Sequence, residues 1–166
     1  MTSRALLWLL FCLGFAPSFA QVGRSSTAHA DPRVAQQLKA AGFSYLVDED
    51  GDYRVTIRFT DDERTQQVFI NSSTEFYQGI EIREVWSIAA RFEDELPAHL
   101  ARELLERNSR LKFGAWSVEK AGSSTFVVFR VHLSADTEGQ TLGSAIHHVS
   151  SVADELEKEL TDSDNF

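Results

Sequence analysis

Between Val34 and Ala41 the apolar residues recur at helical spacing, with Val34, Leu38 and Ala41 on one side. Asp31 stands where a cap belongs, Pro32 at the first helical position and Gly42 where the helix should stop, so a short helix is predicted. From Phe43 the period shortens to two. Ser44 to Glu49 and Asp52 to Thr60 flank Asp50-Gly51, a dipeptide that tolerates the positive φ of a hairpin turn. In the second of these strands Tyr53, Val55, Ile57 and Phe59 alternate with Arg54, Thr56 and Arg58, which predicts one buried face and one wet face. Asp61-Asp62-Glu63 marks the next turn, Gln66 to Asn71 a third strand, and residues 72–81 read as irregular. A longer strand is expected from about Ile82 to Phe92, in which Ile82, Trp86, Ile88, Ala90 and Phe92 share a face that Glu84 interrupts.

Glu93-Asp94-Glu95 then places negative charge where a helix would begin, and Pro97 fits its first turn. That helix should run to about Asn108 with Leu96, Leu100, Leu104 and Leu105 inward. Leu111 to Glu119 and Thr125 to Ser134 form a second hairpin around Ala121-Gly122, and the run from Phe126 to Phe129, apolar on both faces, belongs near the middle of a sheet. The last helix, about Thr141 to Leu160, carries Leu142, Ile146, Val149, Ala153, Leu156 and Leu160 at alternating steps of four and three, one continuous apolar seam. Such a seam needs a cover. The sheet of its own chain is the expected one, and a second copy of the chain is the alternative. The order α, four β, α, two β, α contains no βαβ alternation, so the fold class is α+β: an antiparallel sheet of about six strands with three helices. The acidic tail, 161–166, is expected to fray.

Ahead of these elements, Ala5 to Ala16 is an apolar run behind the single cation Arg4, too short for an ordinary bilayer span, and Pro17 breaks it. Ser18-Phe19-Ala20 offers small residues at the positions a signal peptidase inspects. Residues 1–20 therefore read as a signal peptide cut after Ala20, 21–31 as a flexible lead-in, and 32–160 as one domain of a periplasmic or secreted protein with no stable membrane span after cleavage. The chain has 166 residues with 16 Lys plus Arg against 25 Asp plus Glu. Cleavage removes Arg4, leaving a net charge of −10, and removes Cys12, the only cysteine, so neither a disulfide nor a thiolate site is expected. This balance repels a phosphate backbone, and nucleic acid is excluded as an expected partner.

The stretch from Leu104 to Val118, with Asn108 at a helix end and Phe113-Gly114-Ala115 in the next strand, together with Phe126 to Val131 and Ala153 to Leu156, resembles the bacterial YbjN-like family. With the matching element order the resemblance covers roughly residues 33–160. That family carries the label of a sensory transduction regulator and resembles type III secretion chaperones of the Tir-chaperone type in fold. The resemblance implies a dimer-forming, acidic, non-enzymatic protein that binds other polypeptides; separately, no cofactor is expected. Secretion chaperones of that type work in the cytosol, whereas this chain reads as exported.

Sets of residues that could carry chemistry are few. Asp48, Asp50 and Asp52 alternate as in calcium loops, but the glycine and the final carboxylate fall at the wrong places, and a turn explains them better. His147 and His148, with His132, Asp136 and Glu138, would be the core of the alternative reading, a periplasmic metal-dependent or hydrolytic enzyme. Adjacent histidines on a helix point about 100° apart, so such a centre would need further ligands. His99 and Glu103 stand four apart on a helix without the second histidine of a zinc protease, the serine pairs lack an evident base, and the glycines form no phosphate cradle. Trp86 and Trp116 are expected in the core. The functional alternative puts Trp116 on the outer sheet face, beside Lys112 and Gly114, as a groove for an apolar peptide. The favoured expectation is an exported, non-enzymatic, protein-binding or chaperone-like module of the bacterial cell envelope, homodimeric, with a polypeptide partner or client.

Overall fold

The computed structural model describes residues 29–61, 63–161 and 163–166; the expected signal peptide and most of the lead-in lie outside the described residues. Helix α1 (Pro32–Ala40) starts where its sequence says it should: the Asp31 carboxylate accepts from Arg33 N at 2.9 Å and Pro32 occupies the first turn. There follow β1 (Leu46–Val47), β2 (Tyr53–Arg58), β3 (Thr65–Ile70), β4 (Glu75–Tyr77), β5 (Ile80–Phe92), α2 (Ala98–Asn108), β6 (Ala115–Ala121), β7 (Ser124–Ser134) and α3 (Gly139–Leu160). The strands pair antiparallel in the order β1-β2-β3-β5-β7-β6, with β4 folded onto the start of β5. This is the α+β architecture the element order predicts, with a seventh strand. Residues 72–81 are not irregular throughout, since Gln78 and Gly79, at φ of 49° and 84°, turn β4 directly into β5.

The three described helices share one side of the sheet. Along α3, Leu142, Ile146, Val149, Ala153 and Leu156 are all at 0% exposure and pack with Val68, Ile70, Val85, Phe129 and Val131 of the sheet. Leu160, the last residue of the seam, is 38% exposed. Leu105 is not inward as expected: at 70% exposure it lies on the rim of α2, while Leu100 and Leu104 make the buried stripe.

The face assignment along β5 needs one correction. The register with β7 shifts between Ile88 and Ala90, a bulge that turns both Ala89 and Ala90 into the core and carries Phe92 with them. Ile82, Glu84, Trp86 and Ile88 therefore point to the helix-free side, and Trp86 is half-buried there rather than in the core. The tail does not fray either. Thr65 N donates to the Asp164 carboxylate at 3.1 Å, Arg64 Nη1 to the Ser163 carbonyl at 3.0 Å, and Asn165 N to Glu157 Oε1 at 2.7 Å.

Candidate functional site

The elements from the end of α2 to β6 build a groove on a single side-chain bridge. Asn108, the last residue of α2, accepts from Trp116 N at 2.7 Å through Oδ1 and donates from Nδ2 to the Trp116 carbonyl at 3.1 Å. An asparagine side chain carries the same donor and acceptor as a peptide unit, so it satisfies Trp116 as a neighbouring strand would. Trp116 is paired in register with Phe129 of β7, yet both its backbone groups bond to Asn108 and so point away from β7. By strand alternation the backbone groups of Val118 and Lys120 point the same way. Strand β6 ends the sheet, and among the described residues no strand lies beyond it.

Beside this edge, Leu96, Ala101, Leu104 and Leu105 face Trp116 and Val118 across a groove of about 250 Å³. Its floor is closed by Trp116, 7% exposed and set against Phe129 at a centroid distance of 5.0 Å, and its rim is open at Leu105 and at Val118, 47% exposed. Gly114 brings the start of β6 close to β7. It sits at φ +86°, and a Cβ there would lie 2.6 Å from Phe129 Cζ and 2.8 Å from the Arg130 carbonyl oxygen.

Trp116 thus lines a groove, but from the helix side of the sheet and with α2 as the opposite wall. The arrangement on the outer face with Lys112 and Gly114 does not form: Lys112 is exposed in the α2–β6 connection and Gly114 is packed against β7. Asn108 escaped notice as a functional residue because an asparagine at a helix end reads equally well as a stop.

The histidines of the enzyme alternative are held apart. His132 is exposed on the helix-free face, 3.6 Å from Glu84, whereas α3 with His147 and His148 lies on the other side of the sheet. His147 contacts the Phe43 ring at 5.4 Å, and His148 Nε2 lies 3.0 Å from the Phe113 carbonyl oxygen. Among the described residues no group of three or more His, Cys, Asp or Glu is placed to hold a metal ion. Glu103, four residues after His99, pairs with Arg107 at 2.5 Å. Asp48 Oδ1 accepts from Asp50 N at 3.1 Å and Asp52 N at 2.9 Å, which is turn chemistry.

A second polar cluster ties α1 to the sheet. Arg83, 2% exposed, donates to Asp31 Oδ2 at 2.5 Å and to the Asn71 and Ser72 carbonyls. Arg33 bridges Asp31, Glu81 and Asp136. Each carboxylate here has an arginine on it, and the arrangement is that of a staple.

No helix among the described residues is long and apolar enough to cross a membrane. Among known families, the model of YbjN, described as "Putative bacterial sensory transduction regulator", matches residues 31–161. No curated protein matches the chain.

Proposed function

We propose, from the premise that the chain belongs to the YbjN family, that it is an exported, non-catalytic regulator of the bacterial cell envelope that works by holding an extended segment of a partner polypeptide between α2 and β6. The observation that supports this is the Asn108–Trp116 bridge. It ends the ladder of β6 with a side-chain amide and leaves the next outward backbone groups, at Val118 and Lys120, without a neighbouring strand among the described residues. A partner strand laid along them would extend the sheet by main-chain hydrogen bonds, and its alternate side chains would drop into the apolar groove between Leu105 and Trp116. Export is supported by the apolar run Ala5 to Ala16 and the small residues Ser18 and Ala20.

The test is a photo-crosslinking residue at Val118 of the full chain in its native host, with a second chain carrying it at exposed Glu49 as the control. The expected result is an adduct specific to position 118, in which the captured peptide alternates apolar and polar residues, and which Leu105→Asp suppresses. Adducts of equal yield from both positions, or an adduct whose mass is that of two copies of this chain, would refute the reading. Export is checked separately: protein from the envelope fraction should begin at Gln21, and an intact leader in the cytosol would remove that part.

A further inference from the structure

We infer that the corner where the end of β5, the start of α2 and the end of α3 meet is a binding site for a small neutral ring compound carrying one hydroxyl group, separate from the groove between α2 and β6. The bulge in β5 turns Ala90 and Phe92 toward the helix side, and at Ala90 only a methyl group reaches into the corner. Pro97 and Leu100 bound the remaining space from α2, Leu160 from α3 and Phe166 from the tail, and a cavity of about 220 Å³ is left between them, open on one side. The tail is its outer wall, seated by Asp164 on Thr65 N at 3.1 Å and by Asn165 N on Glu157 at 2.7 Å. An apolar cavity of about 150 Å³ is enough to take up benzene, so this one admits a single six-membered ring with a short substituent.

The lining fixes the charge of the occupant and its one polar group. Arg91 and His99 are the ionisable residues that border the cavity, and among the described residues no Asp, Glu or Lys does. Arg91 is engaged by Glu93 at 3.1 Å and by the Ser124 hydroxyl at 3.0 Å. An ion entering here would lose its water without gaining a free counter-charge, so the occupant is neutral. At the rim, the Thr161 hydroxyl donates to the Glu157 carbonyl at 3.2 Å and Asn165 Nδ2 donates to Ser163 Oγ at 2.6 Å. What remains is the Asn165 side-chain oxygen and the His99 ring, neither with a hydrogen-bond partner among the described residues. Both can accept from a hydroxyl. A ring seated between Phe92 and Phe166 gains the offset or edge contacts that aromatic pairs prefer, and its hydroxyl then lies at the rim.

The experiment titrates the isotope-labelled full chain with phenol and follows amide shifts by NMR, with toluene, benzoate and benzylammonium as companion probes. Phenol should give saturable shifts centred on Ala90, Leu100 and Phe166. Ala90→Leu puts a larger side chain into the space and should weaken binding by about tenfold or more. Leu160→Trp fills the same cavity from its rim and should do likewise, which covers the case in which Ala90→Leu disturbs the bulge. His99→Ala should weaken phenol by about threefold and leave toluene unchanged, since it removes one hydrogen-bond acceptor. Leu105→Asp, in the groove on the other side of α2, should leave phenol binding as it is. Thermal melts by circular dichroism verify that each variant is folded. Absence of saturable shifts, shifts centred on Trp116 and Val118, undiminished binding by both filled variants, or tighter binding of either charged probe would overturn the inference.

Discussion

Asp31 caps α1, pairs with Arg33 and is the carboxylate partner of buried Arg83. Burial alone would push its carboxyl up, but the hydrogen bonds from Arg33 and Arg83 outweigh this and hold it well below the usual carboxylate range. The folded value lies below the unfolded one, about 3.9, so the stability Asp31 adds is complete above about pH 4 and is lost as pH falls through the folded value. Asp31→Asn leaves Arg83 buried without its counter-charge and should cost about 3 kcal/mol at neutral pH. In urea melts across a pH series the gap to wild type should narrow below about pH 4, and a gap independent of pH would contradict the pairing. Gly114→Ala is the second test at this scale. The positive φ and the contacts with Phe129 and the Arg130 carbonyl leave a methyl group no room, and a loss of about 3 kcal/mol in thermal or urea melts is expected. The cap at Asp31 was legible from Asp-Pro before an apolar period. Its second duty toward Arg83 was not, because that pairing joins residues 52 positions apart.

Among the elements, those with a sustained period were legible and those decided by a single residue were not. The four-three steps of α3 and the alternation of β2 each follow from one buried face, and the structure has both. The bulge in β5 leaves no mark in the sequence, since alanine suits either side, so Ile82, Trp86 and Ile88 are expected on the core face with Ala90 and Phe92 but lie on the opposite one. Strand β4 is three residues long, too short to show a period. The α2–β6 groove was half legible: Trp116 was visible as a residue of interest, but its wall depends on how α2 returns to the sheet. Asn108 controls that return. Asn108→Ala would leave the Trp116 N–H and carbonyl without partners, at a cost of about 1–2 kcal/mol, and should speed hydrogen exchange at the Trp116 amide well beyond that at Phe129. Asn108→Asp keeps the acceptor for Trp116 N and should preserve most of the protection. Unchanged exchange in the alanine variant would mean that the bridge does not hold the edge.

For the whole molecule the question is what covers the longest apolar surface. The sequence left the α3 seam open between the chain's own sheet and a second copy, and five of its six residues are fully buried within one chain. Ile146→Ala should therefore cost about 2–5 kcal/mol of stability without changing the mass measured by sedimentation equilibrium; a fall in mass would mean that a second copy shares the seam. The tail closes the opposite end of the same helix. Glu157, at 0% exposure, has Arg64 at 2.9 Å and the Asn165 N–H at 2.7 Å, yet burial still pushes its carboxyl up from the usual range. In the intact chain this makes ionising Glu157 a cost to stability as pH rises through the unfolded value of about 4.3 toward the folded one. Asn165→Pro removes that N–H donor while keeping Asp164 in place, and should push the Glu157 carboxyl up further. This variant should then lie close to wild type in acid, where Glu157 is protonated in both, and fall short by about 1–3 kcal/mol at neutral pH, where the buried carboxylate lacks one of its hydrogen bonds. A deficit that is largest in acid would show that the tail acts through something other than Glu157.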